Sequence, residues 1–168
     1  MKIVTISGSG RPESSNTKLL THLSSLSSII EFHHSLLPKE LPLFTSESTE
    51  SKVSPVIKAW RSELEEADGV IICIPEYIYN MPALIKNALE WITSSGELVG
   101  KKVLALTFTP NEPRGEKAMQ SLLWSLQALD ANIIASLELY QTEISYSPEG
   151  GIEGPGAEIL SEALNLFV

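Results

Sequence analysis

Two rhythms of apolar and polar residues alternate along this chain. Short runs that are apolar at nearly every position, such as residues 2–6, 69–74 and 102–108, are separated by longer stretches in which apolar residues recur every third or fourth position. The first kind fits strands covered on both faces; the second fits helices that bury one stripe. After the strand at 2–6, Leu19, Leu20, Leu23 and Leu26 form a helical stripe behind Ser14, Ser15 and Asn16, residue types that cap helices. A strand is expected at 29–33. A helix follows at 54–66, with Pro55 at its first position and Val56, Ile57, Trp60 and Leu64 inward. Beyond the strand at 69–74, Pro82 opens a helix burying Leu84, Ile85, Ala88, Leu89 and Ile92. The strand at 102–108 leads to a helix over 115–129 with Ala118, Leu122, Leu126 and Leu129 in register. A strand at 131–139 and a helix over 155–167, with Ile159, Leu160, Ala163 and Leu164, complete the pattern.

Five cycles of strand then helix predict an α/β fold, a doubly wound five-stranded parallel sheet with right-handed crossovers and helices on both faces. A closed barrel of eight such units needs about 250 residues, and the chain has 168. One domain spanning 1–168 is expected, with the Ser/Thr/Glu-rich stretch at 45–54 as a loop inside it.

Composition narrows the function. With 12 Lys and Arg against 21 Asp and Glu, the net charge is −9. That balance argues against broad affinity for nucleic acid or anionic membranes, so a phosphate site must be built locally. Cys73 is the single cysteine, which excludes an intramolecular disulfide framework and a Cys-rich zinc site and fits a reducing compartment. No apolar run approaches a membrane span, and the first residues lack the charged-then-apolar pattern of a secretion signal; the expected location is the cytoplasm.

Open parallel sheets bind ligands beyond the carboxyl ends of their strands, where the strand order reverses; for order 2-1-3-4-5 that crevice lies between strands one and three. The two loops flanking it are the segments least explained as core or ordinary turn. Residues 7–17 read SGSGRPESSNT. Glycines let the backbone approach a ligand, hydroxyls and free amides donate hydrogen bonds, and Arg11 adds a charge-assisted one, the donor set a terminal phosphate needs. No Gly-Lys-Ser/Thr follows, and Glu13 stands at the third glycine position of a dinucleotide fingerprint, so neither common nucleotide motif is present. A polar turn with a helix cap is the alternative. Residues 75–82 read PEYIYNMP. Two tyrosines beside Ile and Met in a loop tip fit a wall for a flat apolar ligand such as a flavin ring, or else a packing patch.

Gly8, Ser9, Arg11, Ser14 and Asn16 are spaced as Gly-Ser-x-Arg-x-x-Ser-x-Asn. Pro75-Glu76-Tyr77 precedes Pro82 and then Ile85-Lys86-Asn87-Ala88-Leu89-Glu90-Trp91, with Leu41-Pro42-Leu43-Phe44 and Ala67-Asp68-Gly69 as further landmarks. This constellation resembles the NADPH-dependent FMN reductase family of flavodoxin-like proteins, which includes quinone and azo reductases. The resemblance implies a flavodoxin-like fold that binds FMN, takes hydride from NADPH or NADH, and reduces a small acceptor such as free flavin, a quinone or an azo compound. It places Ser9, Arg11, Ser14, Ser15, Asn16 and Thr17 around the FMN phosphate, and Pro75, Glu76, Tyr77, Ile78, Tyr79 and Asn80 along the ribityl chain and ring. It also implies a homodimer or homotetramer assembled through the helix after strand three, with Met81 and Trp91 toward the subunit contact. The chain departs from the family pattern at Ile78, where an Asn stands, at Asn80 for Ser and at Ala83 for Gly; residues 107–115 replace a glycine-rich segment that touches the ring.

Hydride transfer of this kind needs no side-chain acid or base, so no catalytic residue is assigned, and backbone donors in residues 75–80 are expected to stabilise negative charge on the reduced ring. His33 and His34 lack metal-ligand spacing. Cys73 reads as a small buried hydrophobe, and Trp60, Trp91 and Trp124 as core or interface packing. Arg114 either meets a nicotinamide phosphate or the flavin, or is a solvated loop charge. Gly150, Gly151, Gly154 and Gly156 read as a flexible connection or a lid. Two other classes stay open: a flavodoxin-type electron carrier, against which Arg11 speaks, and a flavin-free binding or regulatory protein on the same fold.

Overall fold

The computed structural model describes residues 1–46 and 53–168, so the middle of the Ser/Thr/Glu-rich stretch lies outside the described residues. In chain order the elements are β1 (Lys2–Ser7), α1 (Ser15–Thr21), β2 (Glu31–Ser35), α2 (Pro55–Glu65), β3 (Gly69–Ile74), α3 (Ala83–Glu90), β4 (Lys102–Thr109), α4 (Glu116–Ala128), β5 (Asn132–Tyr140), β6 (Ser145–Tyr146), β7 (Ile152–Glu153) and α5 (Pro155–Asn165). Strands β1 to β5 form one parallel sheet in the order β2-β1-β3-β4-β5, the expected flavodoxin-like order.

The period of two along each strand sorts the core into two layers. Val4, Ile6, Val70, Ile72, Val103 and Ala105 pack under α2, α3 and α4, whereas Ile3, Ile71, Cys73, Leu104 and Leu106 pack under α1 and α5. All six residues of β3 are buried, as its unbroken apolar run requires. Each fully buried aliphatic side chain contributes about 1.5–3 kcal/mol of transfer free energy. Gly69 opens β3 because Phe167, folded back from the chain end, fills the space its side chain would take: a Cβ there would lie 2.5 Å from the Phe167 ring.

Adjacent lysines fix helix ends on the two faces at the amino edge of the sheet. Lys101 Nζ donates to the carbonyls of Leu64, Glu65 and Ala67 at the end of α2 (2.6, 3.0 and 2.7 Å), and Lys102 Nζ to those of Leu166 and Phe167 beyond α5 (3.1 and 2.8 Å). The opposite edge, where the strands end, is left to loops.

Local differences from the expected elements have local causes. Helix α1 stops at Thr21 and a 3-10 turn takes Leu23 into the core, so the four leucines are not one continuous helix. Strand β2 starts at Glu31, leaving Ile29 61% exposed. Leu84 is half-buried and Ile159 exposed, so the inward stripes of α3 and α5 are narrower than the periodicity implies. Trp60 and Trp91 are core residues, but Trp124 is 63% exposed on α4. The glycines at 150–156 do not form a loose connection: β6 and β7 pair as an antiparallel hairpin, with the Tyr146 ring edge-on to His22 at 5.1 Å and 3.9 Å from Lys18 Nζ. The segment clasps α1 and is no free lid.

Candidate functional site

The loops leaving β1, β3, β4 and β5 surround a cleft of about 250 Å3 at the carboxyl edge. The β1 loop forms its floor. Gly8 donates its amide to the Cys73 carbonyl at 2.8 Å, and a Cβ on Gly8 would sit 2.7 Å from Ile74 Cγ2, so only glycine lets this loop lie against β3. Ser14 caps α1 by accepting from the Thr17 amide at 3.1 Å, and its hydroxyl and that of Ser7 each lie 2.9 Å from Thr17 Oγ1. Asn16 donates from Nδ2 to the Phe108 carbonyl at 3.1 Å and accepts the Cys73 thiol at Oδ1 at 3.2 Å. Burial pushes the Cys73 thiol pKa upward, which keeps it protonated and able to donate.

The phosphate-type residues therefore divide. The Ser14, Asn16 and Thr17 side chains are buried and spent on building the loop, and Thr17 does not line the cleft. Ser9 belongs with them, 1% exposed and accepting the Arg11 amide at 3.3 Å, although it, Ser14 and Asn16 all border the cleft; Arg11 and Ser15 are the accessible side chains there, and the amides of Ser15 and Asn16 donate to no acceptor among the described residues. With seven residues, α1 is too short for a substantial macrodipole, so these local donors and the Arg11 guanidinium carry the attraction for an anion.

The loop after β3 is a two-residue hairpin. Tyr77 and Asn80 exchange both backbone hydrogen bonds (3.1 and 3.0 Å), and Ile78 and Tyr79 at its tip both have φ of 54°. That geometry is a type I′ turn, which favours Asn or Gly at both central positions; a β-branched Ile there is strained. The departure at Ile78 thus removes more than an amide side chain: it places the wrong backbone preference at the tip. The expected run of ring-facing donors is shortened, because the Tyr77 and Asn80 amides are spent inside the hairpin and Pro75 has none. The N–H groups of Glu76, Ile78 and Tyr79 donate to no acceptor among the described residues. Pro75, Glu76 and Tyr77 line the first cleft. Ile78 and Tyr79 stand 97% and 80% exposed and belong to neighbouring hollows, as does Asn80, whose Oδ1 accepts the Met81 amide at 2.8 Å.

Glu76 has a role its motif position did not disclose. Its Oε2 accepts the amides of Lys117 (3.1 Å) and Ala118 (3.2 Å), capping α4, whose own N-cap Gly115 has no side chain. One carboxylate thereby ties the hairpin to the β4 loop. That loop is tight: Thr109 Oγ1 donates to the Arg114 carbonyl at 2.8 Å, and Gly115 turns at φ 115° beneath Thr107. Phe108, Thr109, Pro110 and Arg114 bring it to the cleft wall. Gln141, after β5, is the lining residue that sequence reading missed; it donates to Ser15 Oγ at 3.0 Å, and its only signal was its place just past a strand end.

The landmarks outside the cleft are scaffolding. Asn87 accepts the Phe44 amide (2.8 Å) and donates to the Pro42 carbonyl (3.0 Å), which also takes the Trp91 indole N–H at 2.7 Å. Met81 and Trp91 are 6% and 4% exposed, so neither is available for a subunit contact as expected. His33 pairs with Glu63 at 2.7 Å, away from the cleft. No helix among the described residues is long and apolar enough to cross a membrane.

Residues 1–143 match the profile of the NADPH-dependent FMN reductases. The chain belongs to the NADPH-dependent FMN reductase family. It is 33% identical over 144 residues to a 2-hydroxy-1,4-benzoquinone reductase of Burkholderia sp, covering 83% of this chain and 78% of that protein. It is 34% identical over 101 residues to an NADPH azoreductase of Bacillus sp. (strain OY1-2), covering 60% of this chain and only 56% of the azoreductase. The fold is similar to that of a flavoenzyme NAD(P)H:(acceptor) oxidoreductase from Paracoccus denitrificans, with a TM-score of 0.80 at 22% identity over 99% of this chain and 94% of that one. The profile match carries the resemblance past strand four, through the β4 loop with Arg114 and its two prolines.

Relief of the tip strain should be measurable: Ile78→Gly raises the unfolding free energy by about 0.5–1 kcal/mol in urea titrations, the left-handed penalty less the entropy of glycine. A lowered value would contradict the turn assignment. Removing the cross-loop cap by Glu76→Ala should cost about 1 kcal/mol and speed hydrogen exchange at Lys117 and Ala118, with Glu76→Gln, which keeps an acceptor oxygen, closer to the parent. Equal exchange in all three proteins would refute the cap.

Proposed function

We infer that the chain is a single-domain, FMN-dependent NAD(P)H oxidoreductase that passes hydride from nicotinamide to flavin and on to a small acceptor: free flavin, a quinone or an azo compound. The observation that carries this reading is the cleft at the sheet's switch point, with Arg11, Ser9, Ser15 and two unspent amides on one side and the Tyr77 hairpin on the other. These groups fit FMN. The phosphate would meet Arg11, the Ser9 and Ser15 hydroxyls and the amides of Ser15 and Asn16, while Ser14, Asn16 and Thr17 hold the loop that presents them. Pro75, Glu76 and Tyr77 would flank the ribityl chain and ring, with Ile78, Tyr79 and Asn80 as the outer wall.

FMN supplies the hydride-accepting and electron-donating chemistry; the protein binds, orients and shields it. The free amides of Glu76, Ile78 and Tyr79 are the donors placed to stabilise negative charge at the ring edge. Glu76 cannot serve as a ring ligand through its Oε2, which is spent on α4. NADPH and NADH are both within this reading. So are the cytoplasm as the working compartment and a homodimer or homotetramer. With Met81 and Trp91 buried, the subunit contact would use the exposed Trp124.

The direct test is to incubate the purified protein with FMN, desalt it and add NADPH without oxygen. Retained bands near about 370 and 450 nm, usual for oxidised flavin, should bleach. Retention without bleaching would favour an electron carrier, and no retention would contradict a resident FMN. Arg11→Ala should weaken FMN binding about tenfold by fluorescence titration, the scale of one lost charge-assisted hydrogen bond; unchanged affinity would remove the phosphate from the β1 loop.

A further inference from the structure

Arg114 stands where two hollows meet. It lines the first cleft opposite Arg11, and it also lines a second hollow of about 480 Å3 whose other walls are Glu76, Ile78, Tyr79 and Pro113. Of the three arginines in the sequence, Arg61 is engaged, donating to the Trp91 carbonyl at 2.9 Å and lying 3.8 Å from Glu97. The guanidinium groups of Arg11 and Arg114 make no hydrogen bond or ion pair among the described residues, and both face this region. The carboxylate that lines the same hollow, Glu76, already answers the positive end of α4 through its Oε2. The Arg114 backbone is fixed at both ends, its amide donating to Asn111 at 3.2 Å and its carbonyl accepting from Thr109. The main chain that carries the side chain is thereby fixed at the mouth of both hollows.

Beside Arg114 the second hollow is walled by the Tyr79 ring, the Ile78 side chain and Pro113, and by Glu76, whose Oε2 is turned to the amides of α4. Its volume falls in the usual range for small-molecule pockets. One unpaired cation beside an aromatic ring, an aliphatic side chain and a proline matches a planar aromatic molecule with one anionic substituent, whereas a dinucleotide's pyrophosphate calls for several converging donors. Resting on the reading given under Proposed function, we propose that Arg114 makes the second hollow the acceptor subsite and selects planar aromatic acceptors bearing a carboxylate or sulfonate. Arg114 is a specificity-determining residue in this account: it would pair with the acceptor's anionic substituent and take no part in the transfer that bound FMN would supply.

The test compares the parent protein with Arg114→Gln and Arg114→Lys. Binding is read first, by calorimetric titration of the FMN-loaded protein with naphthalene-2-sulfonate, which cannot be reduced under these conditions, and with uncharged 2-naphthol. Arg114→Gln should weaken the sulfonate about three- to tenfold and leave naphthol unchanged, Arg114→Lys should restore part of the loss, and added salt should shrink the difference. In turnover, the ratio of kcat/KM for 1,2-naphthoquinone-4-sulfonate to that for 1,4-naphthoquinone should fall by a similar factor, with the NADPH-to-NADH preference unmoved. Equal effects on charged and neutral ligands, a changed preference for NADPH alone, or a loss of FMN affinity would each overturn the proposal by assigning Arg114 elsewhere. If the parent fails to retain FMN, the cofactor reading falls by itself, and the sulfonate titration of the unloaded protein still decides whether Arg114 recognises the anion.

Discussion

The side-chain amide of Asn16 joins three elements at the point where the sheet delivers its loops. It donates to the carbonyl at the end of β4 and accepts the thiol of β3, while its own backbone belongs to the first turn of α1. Both partners are buried, so an unmade bond here would leave desolvated polar groups uncompensated, at about 1–3 kcal/mol each. Because both ends of the amide are satisfied, the β1 loop is fixed in height relative to β3 and β4. Arg11 and Ser15 then stand on a rigid rim. A buried thiol whose proton is retained by burial is well suited to this position, and it explains why a cysteine serves in a strand that is otherwise aliphatic.

The second constraint is the tie between hairpin and helix. A type I′ turn with Ile and Tyr at its centre is a costly way to cross from β3 to α3, and it persists because Glu76 and the Tyr77–Asn80 bridge over-determine it. The strained tip holds two large side chains away from the core and beside the cleft. Stability has been exchanged for shape at the position where a flat ligand would be bounded.

The architecture was legible because its signals are physical and redundant. The apolar run of β3 demanded cover on both faces, the helical stripes supplied it, and alternation of strand and helix implied an open parallel sheet, for which the order 2-1-3-4-5 puts the crevice between β1 and β3. The cleft itself was legible as two loops, through residue types suited to a phosphate and a flat ring. What did not show was the division of labour inside those loops. Asn16 and Thr17 carry the same donors whether they face a ligand or a neighbouring strand, and only three-dimensional packing decides between the two. Glu76 capping α4 joins residues 41 and 42 positions apart, and Gln141 reaches Ser15 across 126; neither pairing leaves a periodic trace. The β6–β7 hairpin was hidden by its four glycines, which are equally at home in tight turns and in slack chain.

Backbone amide shifts during an FMN titration, read by two-dimensional nitrogen–proton correlation spectra, test the central claim most directly. The account predicts perturbations confined to residues 9–16, 76–80 and 108–115 and to Gln141, with the amides of Ser15 and Asn16 among the largest and the amino edge around Lys101 and Lys102 silent. Shifts centred elsewhere, or none at saturating flavin, would contradict a flavin site at the switch point of this sheet.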